Sequence, residues 1–298
     1  MAQALTAPVQ QRLIWLVTLV GFAAMYLPTY WWAFNTIWQT EEQAHGAIVL
    51  VLVAWLFWHK REAILGAAHK PIPVLGWPLF LCGVLLYIVG RALNISIFEI
   101  GSQIPVLIGA LLILAGWPAV RAGWFPLLYI VFMIPVPGVL VDALTVPLKE
   151  WISVITTNTL YAFGYPIARN GVMLTIGQYE LLVADACSGL HSMFSLSALG
   201  ILFMYLTARA SVLHNAIMLA SILPIAFAAN IVRVMVLVLI TYHLGDEMGQ
   251  GFLHGTASIV LLMMSLGFLL MLDVVLVWLI RPRAGPRVAG SKPPDRAP

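Results

Sequence analysis

The chain has 298 residues, of which 62% are hydrophobic and 9% charged, and its mean hydropathy is +0.97. A soluble domain carries about 45–50% apolar and about 25% charged residues. A soluble enzyme, a nucleic-acid-binding domain and a disordered scaffold are therefore excluded, and a polytopic α-helical membrane protein remains. The net charge of +3 reads as the basic flanks of membrane spans. Cys82 and Cys187 are too few for a disulfide framework.

A span needs about 20 predominantly apolar residues, and the sequence predicts about eight. They run Leu13 to Trp32, Gly46 to Trp58, Val74 to Val89, Ile104 to Val120, Trp124 to Leu140, Cys187 to Leu206, Val212 to about Tyr242, and Thr256 to Ile280. Residues 1–12 are polar and short, and the first apolar run lacks a small-residue cleavage site, so no signal peptide is read. The seventh run is long enough to bend at Pro224. Between the fifth and sixth, Asp142 to Phe163 reads as an interfacial helix, with Trp151 and Tyr161 suited to a membrane boundary. Arg169-Asn170-Gly171 follows as a link. Two β-prone runs, Val172 to Ile176 and Tyr179 to Val183, then read as a hairpin about Gly177-Gln178. An open hairpin cannot face lipid, so it caps the outer face or packs on protein. The expected domain is one membrane body over 1–280, followed by a disordered basic tail over 281–298.

Basic residues orient the chain. With both termini cytoplasmic, the inner segments hold Arg12, Lys60, Arg61, Lys70, Arg121, Arg209 and the five of the tail, 11 of the 15 Lys and Arg. Arg91, Lys149 and Arg169 lie outside, and Arg233 lies within a span. This asymmetry is the positive-inside pattern. The acids mostly fall outside, Glu99 among them.

Three residues stand out chemically. Cys187, in Asp185-Ala186-Cys187-Ser188, falls where the hairpin ends and the sixth span begins. A helix N-terminus lowers a thiol's pKa and favours the nucleophilic thiolate; the bland alternative is a small buried residue at a helix start. Arg233 interrupts an apolar helix about ten residues from its outer end, roughly 15 Å deep at 1.5 Å per residue. A guanidinium there costs about 2.5–3.5 kcal/mol on insertion scales and faces protein or water. Asn230 shares its helical face. His254 opens the last span at the outer boundary, where an imidazole can serve as acid or base; His243 competes with it. The orientation puts Cys187, Arg233 and His254 on one side of the membrane: a nucleophile, an anion stabiliser and an acid/base group. His191, four residues after Cys187, either tunes the thiol or bonds within the bundle. Ser188, Asp185 and His45 are further supporting or substrate-binding candidates; Glu41-Glu42 near His45 reads as a solvated loop. His59, His69 and His214 read as cytoplasmic boundary residues. No spacing suggests a metal or cofactor, and there is no phosphate loop.

These pieces together resemble the exosortase/archaeosortase family of multi-pass membrane cysteine transpeptidases. The resemblance rests on His45-Gly46, Ile134-Pro135-Val136-Pro137, the hairpin leading into Ala186-Cys187-Ser188-Gly189-Leu190, Asn230-Ile231-Val232-Arg233-Val234, and His254. It covers Glu41 to about Leu270, and within the family the chain looks like the type B branch of bacterial exosortases. The family pattern has Arg where this chain has His191. The resemblance implies a catalytic Cys187, Arg233 and His254 in the bacterial inner membrane, facing the periplasm. It implies membrane-anchored substrates ending in a Pro-Glu-Pro-like motif, a transmembrane helix and a basic tail, an acceptor nucleophile, and a link to exopolysaccharide. The lipid bilayer is the other partner; no nucleic acid is expected. From the residues alone two other classes stay open. One is a transporter in which Arg233 binds an anionic solute. The other is a non-catalytic subunit of a polysaccharide export assembly. A lipid-linked glycan transferase would need an acidic metal-holding cluster that is missing here.

Overall fold

The computed structural model describes residues 2–40, 43–66, 70–136, 138–182, 189–209, 211–255 and 257–279; for 2–12, 138–142, 144–145, 189–193, 250 and 252–262 it describes the backbone alone. In chain order the helices are α1 (Ala2–Asn35), α2 (His45–Leu65), α3 (Pro73–Leu93), α4 (Ser96–Gly101), α5 (Gln103–Leu114), α6 (Trp117–Ala122), α7 (Trp124–Tyr129) and α8 (Gly138–Ala162). Strands β1 (Ile167–Asn170), β2 (Met173–Ile176) and β3 (Tyr179–Leu182) follow. The chain then continues as α9 (Gly189–Thr207), α10 (Val212–Leu244), α11 (Asp246–Gly255) and α12 (Ala257–Leu279). Among the described residues, four helical stretches are long and apolar enough to cross a membrane: Leu13–Gln39, Pro73–Leu93, Ser96–Leu114 and Val212–Leu244. Shorter apolar helices cover Trp124–Met133, Phe194–Thr207 and Met263–Leu279. Together they make a multi-pass helical membrane protein.

The predicted fourth and fifth spans are built differently. The fourth begins early, at Ser96, and ends at Leu114, because Gly116 turns the chain at φ +80° before Trp117-Pro118 starts a new short helix. The fifth is α7 plus a 3-10 turn, Ile130–Met133, ended by Ile134-Pro135, where Ile134 takes the extended conformation that a following proline favours. Helices α3 and α5 approach closely through Gly76 and Gly83, seven residues apart. A Cβ on Gly76 would lie 2.6 Å from the Ile113 side chain, and one on Gly83 2.7 Å from Val106. Small residues at such a seam let two membrane helices meet backbone to backbone.

Glu99, expected in an outer loop, is instead 4% exposed at the start of α4. Thr29 Oγ1 donates to its Oε1 at 2.6 Å and Arg91 Nη1 at 2.8 Å. Ser102 Oγ donates to the Glu99 carbonyl at 2.6 Å, and Tyr26 Oη lies 2.7 Å from the same Ser102 oxygen. The network ties α1, α3 and α4 together. Burying a carboxylate this way is tolerable because Oε1 accepts two hydrogen bonds, one of them from a guanidinium.

After α8 the chain makes a three-stranded antiparallel meander in the order β1-β2-β3. The expected hairpin is β2-β3, with Ile176 opposite Tyr179. The stretch read as a link, Arg169-Asn170, is the end of an extra strand, β1, with Asn170 opposite Met173. Both connections are two-residue turns led by a glycine at positive φ, Gly171 (+61°) and Gly177 (+58°), with no positive φ at Val172 or Gln178. That is the type II′ pattern, whose twist suits a hairpin. Ile167, Leu174 and Ile176 of the sheet pack with Ile152 and Leu160 of α8 and with Val234, Leu237 and Val238 of α10.

Helices α9, α10 and α12 form the other half. Their far end is clamped by Asp273, 5% exposed within the last apolar helix. Arg209 Nη2 donates to its Oδ2 at 2.6 Å, and His214 Nε2 lies 2.8 Å from Oδ1. His214, expected at a boundary, is itself 3% exposed.

Candidate active site

Helix α10 buries one stripe, Met218, Ile222, Ala226, Ala229, Asn230, Arg233, Leu237 and Thr241, at spacings of three and four. Those steps keep a single helical face turned inward. Asn230 and Arg233 lie in the middle of it and are buried as deeply as the apolar members, at 1% and 4% exposure. One turn inward, Ala226 and Ala229 pack with Leu196 of α9 and Leu148 of α8. One turn outward, Val234, Leu237 and Val238 meet the sheet. Arg233 therefore occupies a layer between a small-residue helix contact and a β cap.

The registers of the neighbouring helices show what else shares that layer. Helices α9 and α10 are antiparallel, joined by the short segment 208–211. Gly200 faces the Ile222 side chain, whose nearest carbons would be 3.0 Å from an added Cβ, and Leu196 packs with Ala226. Each step back along α9 is a step forward along α10, so the first residue of α9, Gly189, comes level with Arg233. On the other side α11 and α12 run back down α10. A Cβ on Gly249 would collide with Thr241, Leu269 clusters with Met218 and Ile222, and Asp273 meets His214. Interpolating between these pairs sets the backbone of His254 level with about Val234 to Val236.

His254 does not open the last span. It lies near the end of α11, a separate helix that closes at Gly255 before α12 starts at Ala257. The chain folds back at Gly245, with φ +92°, so α11 rides on the C-terminal end of α10. The expected depth of Arg233 also changes meaning. The ten or so residues beyond it are clad by the sheet and α11, so the distance to the helix end measures depth below a protein cap. Asp185, Cys187 and Ser188 lie outside the described residues, in the segment between β3 and α9. His191 lies in the first turn of α9.

His243 sits at the C-terminal tip of α10, in an aromatic cluster. Its ring centroid is 5.8 Å from that of Tyr165 and 5.0 Å from that of Tyr242, and its Nε2 is 3.4 Å from Tyr165 Oη. At 1.5 Å per residue it stands roughly 15 Å above Arg233. His45 opens α2, and Gly46 beside it is required because a Cβ would strike the indole of the buried Trp38. Val49, Val53 and Leu56 of α2 share one cluster with Ala198 and Leu202 of α9. Tyr129 Oη donates to the Ala198 carbonyl at 3.2 Å, tying the two halves together.

Sequence reasoning missed three buried hydroxyl residues on α8 and α10. Ser153 and Thr156 of α8 and Thr241 of α10 are fully buried. Ser153 Oγ donates to Gly171 O at 3.0 Å. The Thr156 and Thr241 hydroxyls, with that of Thr157, have no hydrogen-bond partner among the described residues. The mixed polarity of α8 was the available signal: its polar residues face protein as well as water.

The family model for transmembrane exosortases matches residues 37–271. This chain belongs to the exosortase family. The match takes in α2 through most of α12, with the whole layer around Arg233 and the segment that carries Cys187. No curated protein and no solved structure matches the chain. Exosortases are known as membrane cysteine transpeptidases of protein sorting, and a multi-pass helical body is the form this exosortase takes.

Proposed function

We propose that this exosortase cleaves the C-terminal sorting signal of exported, membrane-anchored proteins and passes the new C-terminus to an acceptor nucleophile. The signal is a Pro-Glu-Pro-like motif followed by a transmembrane helix and a basic tail. The substrate helix docks within the bilayer, and its motif reaches the outer face beside the sheet. The Cys187 thiolate attacks a backbone carbonyl carbon. Arg233 stabilises the thiolate or the oxyanion of the tetrahedral intermediate. His254 gives a proton to the leaving amine as the C–N bond breaks, leaving a thioester on Cys187. The same imidazole then takes the proton of the acceptor, whose attack releases Cys187. Asn230, His191, Ser188, Asp185 and His45 support or bind. The layer faces the periplasm from the bacterial inner membrane, in a body of about eight spans with both termini cytoplasmic. The work is linked to exopolysaccharide-associated sorting, and the chain falls in the type B branch.

The observation that supports this reading best is the common level of three chain segments. The contacts along α10 put the start of α9, two residues after Cys187, and the backbone of His254 on α11 at about the height of Arg233, although 44 and 21 residues separate them in sequence. The test is co-expression of wild type or Cys187→Ala with a candidate substrate, read by gel shift and intact mass. Wild type alone should remove the tail, and the mass of the new C-terminus separates transfer from hydrolysis. Processing by Cys187→Ala at the normal rate overturns the reading.

A further inference from the structure

The sheet has an open edge. In β1 the residues Ala168, Arg169 and Asn170 are all exposed although they alternate between the two faces, so nothing among the described residues covers that side of the strand. The hydrogen-bond phase follows from the register. Gly177 N donates to Pro166 O at 3.2 Å, so Pro166 and Gly177 form a bonded pair, and bonded pairs alternate along an antiparallel ladder. Ala168 and Asn170 therefore spend their backbone groups on β2. The N–H and C=O of Arg169 point out of the sheet. The Arg169 side chain makes one hydrogen bond among the described residues, at 3.5 Å to Gly171 O in its own turn, and no ion pair there.

We propose that the β1 edge is the recognition strand for the substrate motif, which adds to it as a fourth, antiparallel strand with its acidic residue opposite Arg169. This rests on the function proposed above and names how its substrate is read. A residue placed opposite Arg169 donates its N–H to the Arg169 carbonyl and accepts from the Arg169 N–H. Its two neighbours turn their backbone nitrogens away from the sheet, where no donor is needed. An acidic residue between two prolines fits that demand: the one available N–H falls where the edge uses it, and the prolines leave no outward donors for a further strand. Directly opposed side chains share one face with Cβ atoms about 5 Å apart, so carboxylate and guanidinium meet. Arg169 alternates onto the same face as Leu174, which packs with Val234 next to Arg233. The motif would thus be held on the side of the sheet that leads to the layer.

A charge-exchange cycle on the full chain in membranes tests this. Arg169→Glu against the natural substrate, and wild type against a substrate with the motif's Glu→Lys, should each lose about tenfold in processing rate. Arg169→Glu with the Glu→Lys substrate should regain most of it, and Arg169→Lys should stay near wild type. Arg169 is exposed, so the melting temperature should not move. Unchanged processing by Arg169→Glu, or a double exchange no better than either single one, overturns the proposal. Wild type with its natural substrate and Cys187→Ala run alongside. If they still differ while the exchange fails, the edge is wrong and the transpeptidase reading stands. If wild type cleaves no substrate, both fall.

Discussion

Polar groups are buried in two places in this molecule, and they are treated oppositely. Around Glu99 the carboxylate takes Thr29 and Arg91, Ser102 takes the Glu99 carbonyl, and Tyr26 meets Ser102, each between 2.6 and 2.8 Å. Among the described residues, Gln103 Nε2 at its rim has no partner. Along α8 and α10 the hydroxyls of Thr156 and Thr241 are buried with no partner among the described residues. A satisfied network stiffens a helix junction. An unsatisfied buried hydroxyl costs roughly 1–3 kcal/mol, and a fold keeps such groups where something else repays them. The first region reads as architecture and the second as a place prepared for a guest.

The contrast can be broken by mutation. The largest effect is expected at Arg233: Arg233→Lys and Arg233→Ala should slow processing by about 10²–10³, as when one oxyanion-stabilising group is removed. Gel filtration and thermal melting should show folded protein for the Lys variant. Equal activity in Arg233→Ala would move the function elsewhere. Next, Glu99→Ala should lower stability by roughly 1–3 kcal/mol, since it strands the Thr29 hydroxyl. Processing per folded molecule should remain, and a selective loss of activity would merge the two regions. Asp273→Asn should cost about 1–2 kcal/mol by weakening the bonds of Arg209 and His214, again read as a fall in melting temperature with activity kept. The smallest effect belongs to Thr156→Val, which should change stability by less than about 1 kcal/mol, in either direction, while slowing processing a few-fold. A stability loss above that range would mean the hydroxyl has a structural partner.

Much of the first-order picture is legible in the sequence. An apolar excess has one solution in a chain of this size, and Arg233 is conspicuous because a lone guanidinium in an apolar helix is expensive. Hidden were the partnerships that depend on register between helices. Asp273 sits in Leu270-Met271-Leu272-Asp273-Val274-Val275 and passes as one polar residue in a span, until His214 and Arg209 arrive from about 60 residues away. Glu99 looks like a loop acid because Arg91 reaches it around the corner between α3 and α4. Strand β1 escaped because exposure of three successive residues erases the alternation that marks a strand. The level of His254 followed from where Gly249 and Asp273 touch α10, which no local pattern reports.

Helix α10 has 33 residues, about 50 Å at 1.5 Å per residue, against a hydrocarbon core of about 30 Å. Its surplus is the post on which the sheet and α11 hang. A post longer than the bilayer responds to bilayer thickness by tilting, so the position of the Arg233 layer relative to the lipid is set jointly by protein and membrane. In the proposed reaction, acyl-chain length thereby becomes a dial on how far a substrate motif must climb from its own membrane helix. Processing rates in vesicles of graded chain length should pass through an optimum, and a flat profile would show the layer to be indifferent to its solvent.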